Sequence, residues 1–288
     1  MRTSSHSPAT GRRRPTVRRR SAVGGGPAAL LARLRGDAAR RPLVDPGLAG
    51  GLREWLEDGV ADLVPERAAA GPPLIVDRWA LVPGARPVDG PAVTTALARD
   101  LMVGALFRQF VVTGRIGDPV ADALAALRVD DRDDSVMEFL RRLPLDERSS
   151  LHRQVAAHAR LLVTRWPPVA PGWLPKTADR VSVPLAGGRI VLSAVLDLVL
   201  GAPAGDRASV CVVDVRSGER RAEHRDDLHF LGLLETVRAG APPFRLATYY
   251  TATGEVDVED VDDALLSEAV LRTIDGVRRA LPAAKAAA

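Results

Sequence analysis

Two apolar, strand-like runs lie side by side in the chain, and each delivers one aspartate. Asp197 sits within V-L-S-A-V-L-D-L-V-L, and Asp214 within V-C-V-V-D-V-R-S-G. An ionised carboxylate inside an apolar run costs several kcal/mol unless it is paired, hydrogen-bonded or bound to a cation. Two such groups on neighbouring buried strands therefore constrain the fold: it must bring them to a common partner. A divalent cation is the simplest one.

The surrounding elements follow from periodicity. Asp146 to Arg165 has acids at its start, arginines at its end and apolar residues at helical spacing, so it reads as a helix whose macrodipole is complemented. Arg180 to Leu185 alternates, Gly187-Gly188 makes a tight turn, and Arg189 to Leu200 is a long apolar strand. A Pro/Gly turn over Gly201 to Arg207 leads into the strand Ser209 to Val215, which completes a three-strand meander. Asp226 to Arg238 reads as a helix, Phe244 to Thr251 as a strand, and Val261 to Leu281 as a closing helix. The order is α-β-β-β-α-β-α, obtained without reference to the aspartates.

Within that order the frame Asp197, then Asp214-Val215-Arg216-Ser217-Gly218, resembles the D…(D/E)-x-K signature of the PD-(D/E)XK nuclease superfamily, and within it the RecB-like branch, whose second motif commonly runs D-x-K-S-G. The resemblance implies an α/β fold: a PD-(D/E)XK-like core with a mixed central sheet flanked by helices. It implies that Asp197 and Asp214 hold Mg²⁺ or Mn²⁺, that the Val215 carbonyl adds a ligand, and that Arg216 contacts the phosphate. The reaction would be metal-dependent hydrolysis of phosphodiesters in DNA, rather than RNA, in a setting such as DNA repair. Three departures stand out. Arginine occupies the lysine position, Gly104 to Arg108 lacks the histidine of a G-x-x-x-H feature, and the helix at Asp227 to Leu231 lacks Q-x-x-x-Y.

Arg216 decides between two readings. A guanidinium keeps the positive charge but cannot be deprotonated, so any proton-accepting role is lost; metal-bound water can nevertheless be activated without a lysine. Thirty-eight of the forty basic residues are arginine, the bias of a chain in which lysine has drifted to arginine wherever that is permitted. The alternative to a nuclease is thus an inactive nuclease-fold protein that binds nucleic acid or another protein. In it Arg216 pairs with Asp197 or Asp214 and fills the metal position with its own guanidinium. His152 and His158 on the preceding helix read as structural.

Composition sets the outer limits. The 288 residues divide into an arginine-rich tail over 1–26, a mainly helical extension over 27–145 and the nuclease-like core over 146–282. The tail holds seven arginines and no acid, so the other residues sum to a net charge of −3. It is the expected source of salt-sensitive phosphate contacts. Pro46 to Leu63, Pro91 to Thr113, Asp118 to Arg128 and Ser135 to Arg142 read as helices, with a strand over Leu74 to Val82 and an acidic loop over Asp130 to Asp134. The single cysteine, Cys211, excludes an intrachain disulfide. No apolar run is long enough to span a bilayer and no apolar signal segment opens the sequence, so a cytoplasmic protein without a membrane partner is expected.

Overall fold

A computed structural model describes residues 26–63, 72–78, 93–129 and 133–286. The arginine-rich residues 1–25, the far end of the expected strand Leu74–Val82, the start of the expected helix Pro91–Thr113 and residues 130–132 of the expected acidic loop lie outside them. Among the described residues, six α-helices and one strand precede the meander: α1 (Pro27–Arg35), α2 (Leu48–Val60), β1 (Leu74–Val76), α3 (Thr95–Thr113), α4 (Pro119–Val129), α5 (Asp133–Arg142) and α6 (Leu145–Arg165). The acidic loop is shorter than the sequence suggests, because Asp133 and Asp134 already belong to α5. Next come β2 (Lys176–Leu185), β3 (Ile190–Leu200), β4 (Cys211–Arg216), α7 (Glu223–Ala239), β5 (Arg245–Tyr250), β6 (Glu255–Asp260) and α8 (Asp263–Ala286). The expected order is present from α6 onward, with β6 added before the last helix.

The termini of these elements have local causes. Thr94 caps α3 by accepting a hydrogen bond from the Leu97 amide, and Gly114 ends that helix at φ 68°. Asp146 and Glu147 occupy the first turn of α6 and Arg165 its last, as the dipole favours.

The strands form one mixed open sheet. β2 and β4 run antiparallel to β3, β1 runs parallel to β3, β5 parallel to β4, and β6 antiparallel to β5. Because β2 pairs along almost the whole of β3, β1 and β4 must share the other side of it. β1 takes Ile190 to Leu192 and β4 takes Leu198 to Leu200. Among the described residues, the intervening residues 193–197 face a gap between β1 and β4, and Asp197 lies at its end.

Helices cover both faces. On one, Leu52, Leu56 and Val60 of α2, Leu231 and Leu234 of α7 and Leu266, Val270 and Ile274 of α8 pack against Leu192, Leu196 and Val212 of the sheet. On the other, Leu30 and Leu34 of α1, Phe107 of α3 and Leu162 of α6 pack against Leu198, Leu200 and Val213. A strand alternates faces with period two, so Leu196 and Leu198 should point the same way. They enter opposite cores, so the phase slips at Asp197. Across the ladder from Asp197 stands Ala178, whose φ of 52° is left-handed and whose position interrupts an otherwise continuous register. The distortion falls at Asp197, whose side chain bonds the Val215 amide of β4. Among the described residues, no helix is long and apolar enough to cross a membrane.

Candidate functional site

Asp214 and Arg216 are two residues apart on β4 and therefore share a face, the one covered by α7. The Asp214 side chain is fully buried, and both of its oxygens are taken by guanidinium groups. Arg216 Nε donates to Oδ2 at 2.5 Å, and Arg78 Nη1, from just after β1, donates to Oδ1 at 3.0 Å. Arg216 reaches a second carboxylate through Nη2, which donates to Asp227 Oδ2 at 2.8 Å on the buried side of α7. One planar fork thus bridges a strand acid and a helix acid.

Asp197 approaches from the gap. Its Oδ2 accepts the Val215 amide hydrogen at 2.9 Å, and Arg108 of α3 stands 3.8 Å from its Oδ1, an ion pair beyond hydrogen-bonding distance. Three carboxylates face three guanidinium groups, and the sum of their formal charges is zero.

These surroundings divide the acids electrostatically. Burial pushes the Asp197 carboxyl above its ordinary range, and the nearby Asp214 charge adds to that. Asp214 is also penalised by burial, yet Arg216 and Arg78 reverse the balance and hold it below the usual carboxylate range. Burial raises Asp227 despite its bond to Arg216. The Arg216 guanidinium, disfavoured by burial, is held charged by Asp214 and Asp227. His224, at the start of α7, is pushed down to about 4 by burial and by the Arg216 charge, and its Nδ1 lies 3.4 Å from the Tyr250 hydroxyl.

A second polar cluster fixes the backbone on which Arg216 sits. The Arg216 carbonyl accepts from the Thr251 amide at 2.9 Å and from the Thr251 hydroxyl at 3.2 Å. That hydroxyl is 2.9 Å from Nδ1 of His158 on α6, and burial pushes the His158 imidazole below its ordinary value. Beside it, the Ser217 hydroxyl donates to the Asp100 carboxylate of α3 and accepts from Arg99 Nε at 3.2 Å.

The structure therefore brings Asp197, Asp214, Val215 and Arg216 together. It also adds Arg78, Arg108 and Asp227, which the sequence reading missed. Arg78 contacts Asp214 across 136 positions of sequence and follows a short apolar run with no motif of its own. Asp227 had one legible signal: it is the acid that stands immediately before the mainly apolar run Leu228 to Leu234.

The residues that would hold Mg²⁺ or Mn²⁺ are Asp197, Asp214 and the Val215 carbonyl, and their arrangement does not fit such an ion. A hard divalent cation needs several oxygens turned toward one point. Here both Asp214 oxygens face guanidinium hydrogens and Asp197 Oδ2 faces an amide hydrogen. Among the described residues, no group of three or more His, Cys, Asp or Glu side chains is placed to hold a metal.

No family model matches the chain, and no curated protein matches it. Among solved structures, the crystal structure of SSO0001 is similar over 79% of this chain and 83% of its own, with 11% sequence identity and a TM-score of 0.29.

Proposed function

We propose that this chain is a non-hydrolytic relative of the RecB-like PD-(D/E)XK nucleases, which keeps the nuclease framework as a nucleic-acid-binding module. The observation that carries the loss of hydrolysis is the double capture of Asp214 by Arg216 and Arg78. Each Asp214 oxygen already accepts from a guanidinium group, so a divalent cation would have to approach against two fixed positive charges or displace them. The binding half of the proposal rests on the seven arginines of residues 1–26, which attach a cationic segment to a body of net charge −3.

The hydrolytic reading keeps one supporting observation: the Asp197 carboxylate bonds the backbone immediately after Asp214, so the two acids of the motif are neighbours. The deciding experiment is cleavage of labelled single- and double-stranded DNA with Mg²⁺ or Mn²⁺ by the native chain, Asp214→Ala and Arg216→Lys. Salt-sensitive binding without cleavage by the native chain is expected. Cleavage by the native chain that Asp214→Ala abolishes would overturn the proposal in favour of a nuclease that uses arginine.

A further inference from the structure

We infer that the position between Asp214 and Asp227 is a guanidinium site, built for a planar forked cation and not for a spherical divalent one, with Arg216 as its tethered occupant. The inference rests on the non-hydrolytic reading above and names the ligand class of the same site. Two observations carry it. The Arg216 fork meets two carboxylates on different elements, Nε donating to Asp214 on β4 and Nη2 to Asp227 on α7, so one planar group satisfies oxygens held by two separate elements. The remaining Asp214 oxygen is held by Arg78, and among the described residues no group of three or more His, Cys, Asp or Glu side chains is placed to hold a metal. A guanidinium satisfies oxygens spread along its edges, whereas Mg²⁺ requires near-octahedral oxygens about 2.0–2.1 Å from a single point. The occupant is also held from behind: the Arg216 carbonyl is bonded twice by Thr251, which contacts His158, so the tether leaves the strand in a fixed direction.

If the site is made for the fork, removing the side chain leaves a cavity that a free guanidinium ion can refill. A ligand that binds only the folded state raises the unfolding midpoint with its concentration. The test compares Arg216→Ala with the native chain in guanidinium chloride far below denaturing concentrations, against sodium chloride of equal ionic strength, Mg²⁺ and Mn²⁺. Guanidinium should raise the midpoint of Arg216→Ala while lowering or leaving that of the native chain, and the rescue should vanish in Arg216→Ala/Asp227→Asn. Should Arg216→Ala be unfolded in plain buffer, the same rescue is read as guanidinium-dependent recovery of helical circular dichroism. Arg216→Lys supplies a second reading, because an ammonium is a point charge that cannot bridge both acids: its midpoint should lie below the native one. Stabilisation of Arg216→Ala by Mn²⁺ or Mg²⁺ but not by guanidinium would overturn the inference, as would rescue by neither or a native midpoint in Arg216→Lys. Cleavage of DNA by the native chain is a separate outcome, which overturns the functional reading whether or not the rescue succeeds.

Discussion

Asp214 and Asp197 are neighbours with opposite electrostatic fates, and the difference is measurable. Asp214 has a folded-state pKa below its unfolded value, so its ionisation stabilises the fold at neutral pH, and that contribution is lost as pH falls below about 4 through the lowered folded value. Asp197 has a folded-state pKa above its unfolded value; its contribution is fully present below about 4 and is lost as pH rises through the raised value. Asp214→Asn should therefore cost about 2–3 kcal/mol at pH 7, since it strips a buried partner from Arg216 and Arg78, and the cost should shrink at acid pH. Asp197→Asn keeps an oxygen for the Val215 amide and removes a disfavoured charge, so it should be neutral or stabilising at pH 7. Urea unfolding of the three proteins at pH 7 and near pH 4 checks both signs. A loss above about 1 kcal/mol for Asp197→Asn at pH 7 would mean that the Arg108 pair outweighs the burial of the charge. His224 responds to pH as well: burial pushes its folded value down to about 4, so the native chain should lose stability as pH falls from about 6.5 toward 4, and His224→Phe should flatten that slope.

At the level of elements, close approach sets the tolerances. Gly201 follows β3 at φ 93°, and a Cβ there would lie 2.4 Å from the Ser209 carbonyl oxygen, a backbone atom in the connection that leads into β4. Gly201→Ala must open the β3–β4 connection as well as adopt a disfavoured dihedral, so a loss of about 2–4 kcal/mol is expected. Gly59 in α2 is different, because its Cβ would meet the end of the Ile274 side chain of α8 at 2.2 Å. Repacking one flexible side chain offsets part of the clash, and α2 gains helix propensity, so Gly59→Ala should cost about 1–2 kcal/mol. Thermal unfolding of the pair checks the ranking. Most elements were legible because the cores they feed have a clean period: Val181, Val183 and Leu185 alternate along β2, and Leu52, Leu56 and Val60 repeat at helical spacing along α2. The strand β6 was not, because Glu255, Asp257, Glu259 and Asp260 give it the composition of a loop. It persists as a charged edge whose acids are met by Arg220, Arg225 and Arg245. The motif pair in the site was legible from spacing on β4, whereas Arg78 and Arg108 were not, since long-range pairing of an arginine with an aspartate leaves no local pattern.

Across the whole molecule, the helical residues before α6 are part of the same body as the motif-bearing segment. β1 is a strand of the central sheet and delivers Arg78 to Asp214, α2 packs on α8, and α3 delivers Arg108 to Asp197 and Asp100 to Ser217. The division at residue 145 that the sequence suggests therefore cuts through both faces of the core. Residues 146–288 alone would leave Leu192, Leu196 and Ile274 without Leu52, Leu56 and Val60, and Trp166 and Tyr249 without Phe107. At roughly 25 cal/mol per Å² of apolar surface, losing that cover exceeds the margin by which a domain of this size is stable. The 146–288 fragment should show no cooperative unfolding transition and should bind hydrophobic dyes; a sharp transition near that of the full chain would make the earlier helices a true appendage. Removal of residues 1–25 tests the binding half of the proposal. That segment carries all seven arginines of the cationic stretch, so its loss should weaken nucleic-acid binding. The dependence of log K on log salt for duplex DNA should flatten by up to about 6 if every arginine meets a phosphate. An unchanged slope would move nucleic-acid contact from the tail to the folded body.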